Sequence, residues 1–144
     1  MSDGSTSCPM PTALPRGLLR REDGSVVCPN VSSPMSAVVA HRDIDCIERF
    51  FASGFPLHLA IHKVNEAEPK RRDYTDLHVH PQGEINVIIP DAQGLEYEIQ
   101  LGDEVFRVSE GASIWIPPNV PHSANVIRGS GYFVAVRLKE ETGQ

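Results

Sequence analysis

From Leu57 onward, apolar and polar residues alternate with a period of two, which is typical of half-buried β-strands. In LEYEIQL, for example, Leu95, Tyr97 and Ile99 share one side and polar residues occupy the other. Turn residues separate these short segments. The predicted strands are LHLAIHKV, LHVH, INVIIP, LEYEIQL, EVFRV, ASIWIP, HSANVI and YFVAVRL. Many short strands at this spacing predict a mainly all-β fold, a sandwich or barrel.

The segment 43–55, DIDCIERFFASGF, has a helical period instead. Its apolar residues at helical spacing are Ile44, Ile47, Phe50 and Phe51. Asp45 followed by Glu48 forms a capping-box pattern, and Gly54 is placed to end the helix. We therefore predict one short helix that covers a face or an end of the sheet.

The first 35 residues differ from the rest of the chain. Residues 1–16 are rich in Ser, Pro, Thr and Gly, which favours a loosely held arm. In 18–27, Asp23-Gly24 between two apolar ends indicates a hairpin. We divide the chain into an N-terminal arm, 1–35, and a barrel, 36–144, and hypothesise that the hairpin pairs across a homodimer.

Size and charge exclude several classes of function. A chain of 144 residues fits one domain. The net charge of -6 argues against a binder of nucleic acid or anionic membranes, because both need a basic surface. We interpret the basic run at 70–72 as a solvated loop.

Cysteine content and hydropathy indicate the compartment. The cysteines Cys8, Cys28 and Cys46 are odd in number and widely spaced, which favours free thiols in a reducing environment. No window approaches the ~20 apolar residues of a membrane helix, and the N-terminus has no signal-peptide core. We therefore expect a cytoplasmic protein.

The stretch DLHVHPQGEINVII, which begins at Asp76, places chemistry at the start of a predicted strand. Alternate residues of a strand point to the same side, so His78 and His80 project together. Glu84 shares that side, and the intervening Pro-Gln-Gly predicts a bend that re-aims it. Buried imidazoles and a buried carboxylate are costly unless partnered, and a divalent metal ion offsets that cost.

We expect a fourth ligand from a neighbouring strand. His122 follows the proline-rich turn PPNVP and opens the predicted strand HSANVI. Those prolines fix the backbone just before the histidine. The predicted metal ligands are His78, His80, Glu84 and His122.

These two stretches resemble the paired motifs of the cupin superfamily. Residues 78–84, HVHPQGE, match the first motif, H-x-H-x(3 or 4)-E. The second, G-x(5)-P-x-G-x(2)-H-x(3)-N, matches Gly111, Pro117 and His122, with Asn119 at its second glycine. The resemblance covers about residues 57–138. It implies a small antiparallel jelly-roll barrel (double-stranded β-helix), often dimeric, that binds a metal through three histidines and a glutamate.

The match departs from the motifs at three places, all of which concern loop geometry. Asp91 replaces the glycine usual seven residues after the glutamate, and Gly94 follows three later. Asn119 replaces a glycine, which a left-handed turn tolerates. Asn125 lies three residues after His122 rather than four.

A set of three imidazoles and a carboxylate suits Fe(II), and also Mn, Ni, Co or Zn. We favour one iron per chain and dioxygenase-type oxygen chemistry on a small organic substrate. Redox-neutral isomerase, lyase or cyclase chemistry at a Lewis-acidic metal is the alternative. A non-catalytic barrel that binds a small molecule is a third hypothesis.

Further side chains are candidates for substrate contact. Arg107 and Arg137 can each pair with a substrate carboxylate if their side of the strand turns inward. Glu84 can act as acid or base as well as ligand. Tyr97, Trp115 and Phe133 are either pocket or core residues. His58 and His62 share one side of a strand and can lie near the cavity, although a solvent-facing His62 fits equally well. Asn86 shares its side with Glu84 and can reach into the barrel. We assign His41 no role.

Overall fold

Nine β-strands and one 3₁₀ turn make up the regular structure in the computed structural model, which describes residues 17–52, 54–68 and 72–138. The 3₁₀ turn is Met35–Ala37. The strands are β1 Leu19–Arg20, β2 Val26–Val27, β3 Val31–Ser32, β4 Ile47–Ala52, β5 Leu57–Ala67, β6 Glu84–Leu101, β7 Glu104–Val108, β8 Ala112–Ile116 and β9 His122–Leu138.

Seven strands form one antiparallel sheet in the order β3-β4-β5-β9-β6-β7, with β8 also paired to β6. The two longest strands, β6 and β9, pair along almost their whole length. The first half of β6 pairs with β8 and the second half with β7. The predicted all-β fold is confirmed.

Glycines allow β9 to bend where it crosses β6. The register shifts between Pro90 and Leu95, opposite Gly129 and Gly131. A Cβ at Gly129 would lie 2.0 Å from the Gly94 carbonyl oxygen, and both glycines of β9 have a positive φ (98° and 146°). Only glycine meets both conditions, so these positions bend two long strands into a rolled sheet.

The predicted helix over 43–55 is wrong, because its centre is strand β4. Residues 47–52 pair one for one with β5, from Ile47 opposite Val64 to Ala52 opposite Leu59. Burial has a period of two here: Ile47 and Arg49 are buried and Glu48 is exposed. IERFFA fits both periods, and pairing with β5 decided between them.

The predicted capping box is consequently not formed. Glu48 instead lies 3.4 Å from the Asn65 side-chain amide across the strand pair. The carboxylate of Asp43 accepts hydrogen bonds from the Met35 amide and the Ser36 hydroxyl, both at 2.7 Å. Asp43 therefore stabilises the 3₁₀ turn that precedes β4.

The hairpin stretch 18–27 contains the β1–β2 pair, with Leu19 opposite Val27. The Arg21 amide donates to the Ser25 carbonyl, so the loop is longer than a two-residue turn, and Gly24 takes a positive φ of 94°. A Cβ at Gly54 would lie 2.9 Å from Leu18, so the arm contacts the β4–β5 turn of its own chain. The segment 1–16, with Cys8, lies outside the described residues, as do 69–71.

The hydrophobic core fills one end of the rolled sheet. Leu95, Tyr97 and Ile99 of β6 point into it, as the alternation predicted, and each is at most 1% exposed. The Tyr74 and Tyr97 hydroxyls are 2.8 Å apart, so the buried phenols satisfy each other. Full burial of such side chains contributes about 1.5–3 kcal/mol each.

Two simpler features concern the chain as a whole. Cys28 and Cys46 are free thiols. Within the described ranges, no helix has the length and hydropathy to cross a bilayer.

Candidate metal centre

The end of the barrel opposite the core holds a cavity of about 570 Å³. All six histidines of the chain line it: His41, His58, His62, His78, His80 and His122. Histidines scattered over four separate stretches of sequence therefore meet at one place. Such convergence is a feature of sites rather than of packing.

The predicted ligands His78, His80 and His122 form a cluster whose candidate ligand atoms all lie within 4.8 Å of one another. Their ring centroids are 4.4–5.9 Å apart. These three imidazoles can hold a metal ion.

Backbone carbonyls fix the orientation of all three rings. Nδ1 of His78, His80 and His122 lies 2.7 Å, 2.9 Å and 2.9 Å from the carbonyl oxygens of Asp76, Gln82 and Val120. A hydrogen bond to a carbonyl requires Nδ1–H, so each ring, when neutral, has its lone pair on Nε2. His80 Nε2 lies 2.8 Å from Glu84 Oε1, and because both atoms are then acceptors, a proton or a metal ion must lie between them. A carbonyl that fixes the tautomer in this way is a common outer partner of a metal-binding histidine.

His122 Nε2 is the strongest sign that a cation belongs here. It is buried and makes no hydrogen bond to the described residues, although the Glu84 carboxylate lies 3.5 Å away. A buried nitrogen without a hydrogen bond costs about 1–3 kcal/mol. Metal coordination would remove that cost, so the residues fit a bound metal ion.

Glu84, the predicted fourth ligand, lies beside two of the three imidazoles. Its Oε1 is 2.8 Å from His80 Nε2 and 3.5 Å from His122 Nε2, and its Oε2 accepts a 2.6 Å hydrogen bond from the Asn86 amide. Burial raises the pKa of the Glu84 carboxyl, but His122 and Asn86 outweigh burial and hold it at about 2. Glu84 therefore brings a negative charge to the cluster.

Backbone pairing between the two motifs sets this geometry. His78 is not in a regular strand; it forms an isolated bridge with His122, with amide-to-carbonyl distances of 3.0 and 2.8 Å. The Asn119 amide donates to the His80 carbonyl at 2.9 Å, and Asn119 has the left-handed φ of 66° that its motif position requires. The short strand predicted at LHVH is thus a bridged loop.

Asn125 holds the approach to His78. Its Oδ1 accepts hydrogen bonds from the Tyr74 and Thr75 amides at 2.8 and 2.9 Å, and its amide donates to the Thr75 carbonyl at 3.2 Å. Although Asn125 lies one residue earlier than the asparagine of the cupin motif, its hydrogen bonds position the segment that leads to His78.

The two arginines named from sequence lie in different places. Arg137 of β9 lines the cavity and pairs in register with both Glu84 and His58. Arg107 of β7 does not line the cavity: its side chain is 65% exposed and lies 3.4 Å from Glu96. The prediction that Arg107 contacts substrate is not supported by its position, because β7 presents this side to solvent.

The aromatic candidates also divide. Phe133 lines the cavity and stacks on His62 with centroids 5.4 Å apart. Tyr97 belongs to the core. Trp115 is 59% exposed on the outer side of the sheet, where its ring covers Gly83 so closely that a Cβ there would be 2.2 Å away.

The other polar candidates, His58, His62 and Asn86, all line the cavity. His62 is only 3% exposed. Burial lowers the pKa of His62 to about 3, and the positive charges of His41 and Arg49 act in the same direction. His62 is therefore a neutral imidazole at physiological pH.

Sequence reasoning missed two cavity residues, His41 and Arg49. His41 donates Nδ1–H to the Val39 carbonyl at 2.8 Å, and its ring lies 5.6 Å from that of His78, so it can accept a proton at Nε2. Arg49 was assigned to the predicted helix. Had the segment been interpreted as a strand, the spacing of two residues from Ile47 would have placed Arg49 on the same, inward side.

Comparisons with known proteins agree with this architecture. The family model of the AraC-like ligand binding domain matches residues 65–136. No curated protein sequence matches the chain. Many solved structures share the fold.

Three solved structures illustrate the likeness. HppE in its Fe(II) form aligns with a TM-score of 0.60 at 16% identity, over 85% of this chain and 64% of that one. AerE from Microcystis aeruginosa aligns with a TM-score of 0.55 at 15% identity, over 86% and 51%. A cupin 2 conserved barrel domain protein from Rhodopseudomonas palustris gives 0.50 at 16%, over 78% and 72%. At these identities the likeness concerns the fold.

Proposed function

Because this chain belongs to the family of AraC-like ligand binding domains, within the cupin superfamily, we propose that it is a metal-dependent enzyme acting on a small organic substrate. One observation carries the proposal. Three histidines whose Nδ1 atoms face carbonyls lie beside the Glu84 carboxylate in a cavity large enough for a small molecule.

The proposed metal is a divalent transition ion held by His78, His80, His122 and Glu84, one per chain. Iron is our first candidate, and the fold shared with the Fe(II) form of HppE supports it; Mn, Ni, Co and Zn suit the same donors. When bound, the ion supplies Lewis acidity and open coordination positions for substrate or dioxygen. We favour dioxygenase-type chemistry, with redox-neutral isomerase, lyase or cyclase chemistry as the alternative.

The protein's own groups orient the substrate and can move protons. Arg137, in register with Glu84, can hold a substrate oxygen beside the cluster. Glu84 and His41 are the groups near the cluster that can exchange a proton with the substrate. Phe133, Ala135 and Ala60 give the cavity an apolar wall against which an organic substrate can pack.

A second candidate function is ligand binding without turnover. The family description, a ligand binding domain, favours it. The cavity then holds an effector, and the histidines contact it directly or through the metal. A tight ligand without product formation distinguishes this function from catalysis.

The deciding experiment is elemental analysis of the purified chain beside His80→Ala, followed by oxygen uptake with candidate enols and catechols. We expect about one metal ion per chain, lost in His80→Ala and retained in Arg107→Ala, which alters a residue outside the cavity. Oxygen consumption supports dioxygenase chemistry, and metal without oxygen uptake supports the redox-neutral class. Equal metal content in all three proteins contradicts the proposal.

We also propose a homodimer, as expected from the sequence, but with the outer side of the sheet rather than hairpin 18–27 as its interface. Exposed apolar residues are neighbours there: Ile85 pairs with Trp115, and Ile89 with Tyr132. An apolar surface of this kind favours association with a second copy. Sedimentation of Ile89→Glu tests it: a wild-type dimer that the charge converts to monomer is expected, and an unchanged mass contradicts this interface.

A further inference from the structure

Arg49 is a buried cation in the cavity wall. Arg49 is 8% exposed. Strand β4 directs its side chain inward, beside His62, with which it pairs in register on β5. Nη1 donates to the Ser33 hydroxyl at 3.0 Å, and the guanidinium lies 5.1 Å from the centre of the Phe51 ring. Among the described residues no carboxylate forms an ion pair with Arg49.

Such a position needs an explanation, because a buried charge without a counter-ion is destabilising. A guanidinium has five N–H donors, and the described structure uses one of them, toward Ser33. The cation–π contact with Phe51 offsets part of the cost but accepts no hydrogen bond. A bound anion with two oxygens would satisfy the remaining donors.

The charges around the cavity favour the same kind of ligand. Among the described lining residues, Arg49 and Arg137 are positive and Glu84 is the single acid. A divalent metal held at the histidine cluster adds further positive charge. A substrate with a negative group therefore matches the field of the cavity.

The sheet register shows how a ligand can span the site. Arg49 on β4 and Glu84 on β6 are separated by β5 and β9, which is about 14 Å across the strands. They lie on a diagonal, because the row of Arg49 continues through His62 and Phe133 to Ile88, four residues along β6 from Glu84. Ala60 and Ala135 pair with each other on the two strands between them. Their small side chains leave room over the floor of the cavity between Arg49 and the cluster.

We propose that Arg49 and Ser33 bind an oxyanion, a carboxylate or a phosphate, at one end of a small substrate whose other end reaches the cluster of His78, His80 and His122. The anion site itself follows from Arg49 and its surroundings, whereas its role in recognising a substrate rests on the proposed function. Recognition by this anion site narrows the substrate class to anionic small molecules and excludes neutral and cationic ones.

Binding to the full-length chain, after incubation with a divalent transition metal, tests this with matched probes: 3-phenylpropanoate, its neutral amide and phenyl phosphate, measured by calorimetry. We expect an anion to bind about tenfold or more tightly than the amide, as a charged hydrogen-bonded pair requires. The tighter of the two anions identifies the oxyanion class. Equal affinity for the anions and the amide overturns the proposal.

Variants locate the effect. We expect Arg49→Met to lose the roughly tenfold preference for the anion over the amide, and Arg49→Lys to keep part of it. The matched control Arg107→Met should keep the preference unchanged. An anion preference that survives in Arg49→Met overturns the assignment. If circular dichroism shows that Arg49→Met does not fold, Ser33→Ala and the wild-type comparison of anion with amide test the anion site instead.

Metal content of the same samples separates the two proposals. Anion preference in a chain that binds no metal retains the anion site and rejects the proposed function. Metal bound at His78, His80 and His122 without an anion preference retains the proposed function and rejects the anion site.

Discussion

The two ends of the barrel are built by the same strands but are filled differently. In the second half of β6 the inward residues are Leu95, Tyr97 and Ile99, which close the core. In the first half the inward residues include Glu84 and Asn86, which face the cavity. Backbone pairing with β9 continues through both halves. A single alternating pattern therefore gives a packed core where its inward residues are apolar and a site where they are polar.

The core end provides the rigidity on which the cavity end depends. Rings stack continuously from one end to the other: Tyr97 on Phe133, with centroids 5.0 Å apart, and Phe133 on His62 at 5.4 Å. Phe133 belongs to both the core cluster and the cavity wall. Substitutions at the core end should therefore cost stability, whereas those at the cavity end should cost binding.

The largest expected effect is at the core end. Tyr97→Ala removes a fully buried ring and leaves the Tyr74 hydroxyl without its 2.8 Å partner. We expect a loss of about 3–5 kcal/mol in the free energy of unfolding. Urea denaturation measures it, with Phe106→Ala on the exposed strand β7 as control. A loss below about 1 kcal/mol would show that the core does not close here.

Protonation of His62 should couple stability to pH. Its native pKa of about 3 lies below the ordinary histidine value of 6.5, so as pH falls between these values the unfolded chain takes up a proton that the native chain does not. Above about pH 6.5 His62 is neutral in both states and the native state keeps its full stability. Acidification to pH 3 lowers the free energy of unfolding by an amount on the order of 4 kcal/mol.

His41 and Arg49 disfavour protonation of His62, Glu84 favours it, and the Tyr74 hydroxyl lies 3.4 Å from its Nδ1. Urea midpoints of wild type and His62→Phe at a series of pH values provide the measurement. The variant, which can stack on Phe133, should show a shallower pH dependence. Parallel curves for the two proteins would mean that His62 does not carry the effect.

Asn125→Ala should weaken both ends together. It leaves the buried amides of Tyr74 and Thr75 without their acceptor. We expect about 1–3 kcal/mol of lost stability and, because this segment leads to His78, weaker metal binding. Thermal unfolding with and without metal checks both. Lost stability with unchanged metal affinity would limit Asn125 to a structural role.

The smallest effect is expected outside both regions. Arg107→Met removes an exposed ion pair with Glu96, which contributes less than about 1 kcal/mol. Stability and metal content should match wild type within error. A clear loss of metal in this variant would require the site to extend beyond the cavity wall.

Much of the fold followed from alternation and turn residues. The strand pattern from Leu57 to Leu138 predicted the barrel, and β6 is a continuous strand where two short ones were expected. The segment 43–55 could not be predicted correctly, because IERFFA has apolar residues at both helical and strand spacing. Its pairing partner, β5, follows it in the chain, and local propensity carries no information about that pairing.

Residue types and spacing were enough to predict the chemistry of the candidate site: its three histidines, the Glu84 carboxylate, and a proline turn before His122. Spacing within a strand establishes which side chains share a side, but strand pairing determines which side is enclosed. The folded sheet was needed to show that Arg137 faces the cavity while Arg107 faces solvent, and that His41 and Arg49 line the cavity. These positions could not be predicted because burial arises from contacts between strands distant in sequence, which alternation along one strand cannot encode.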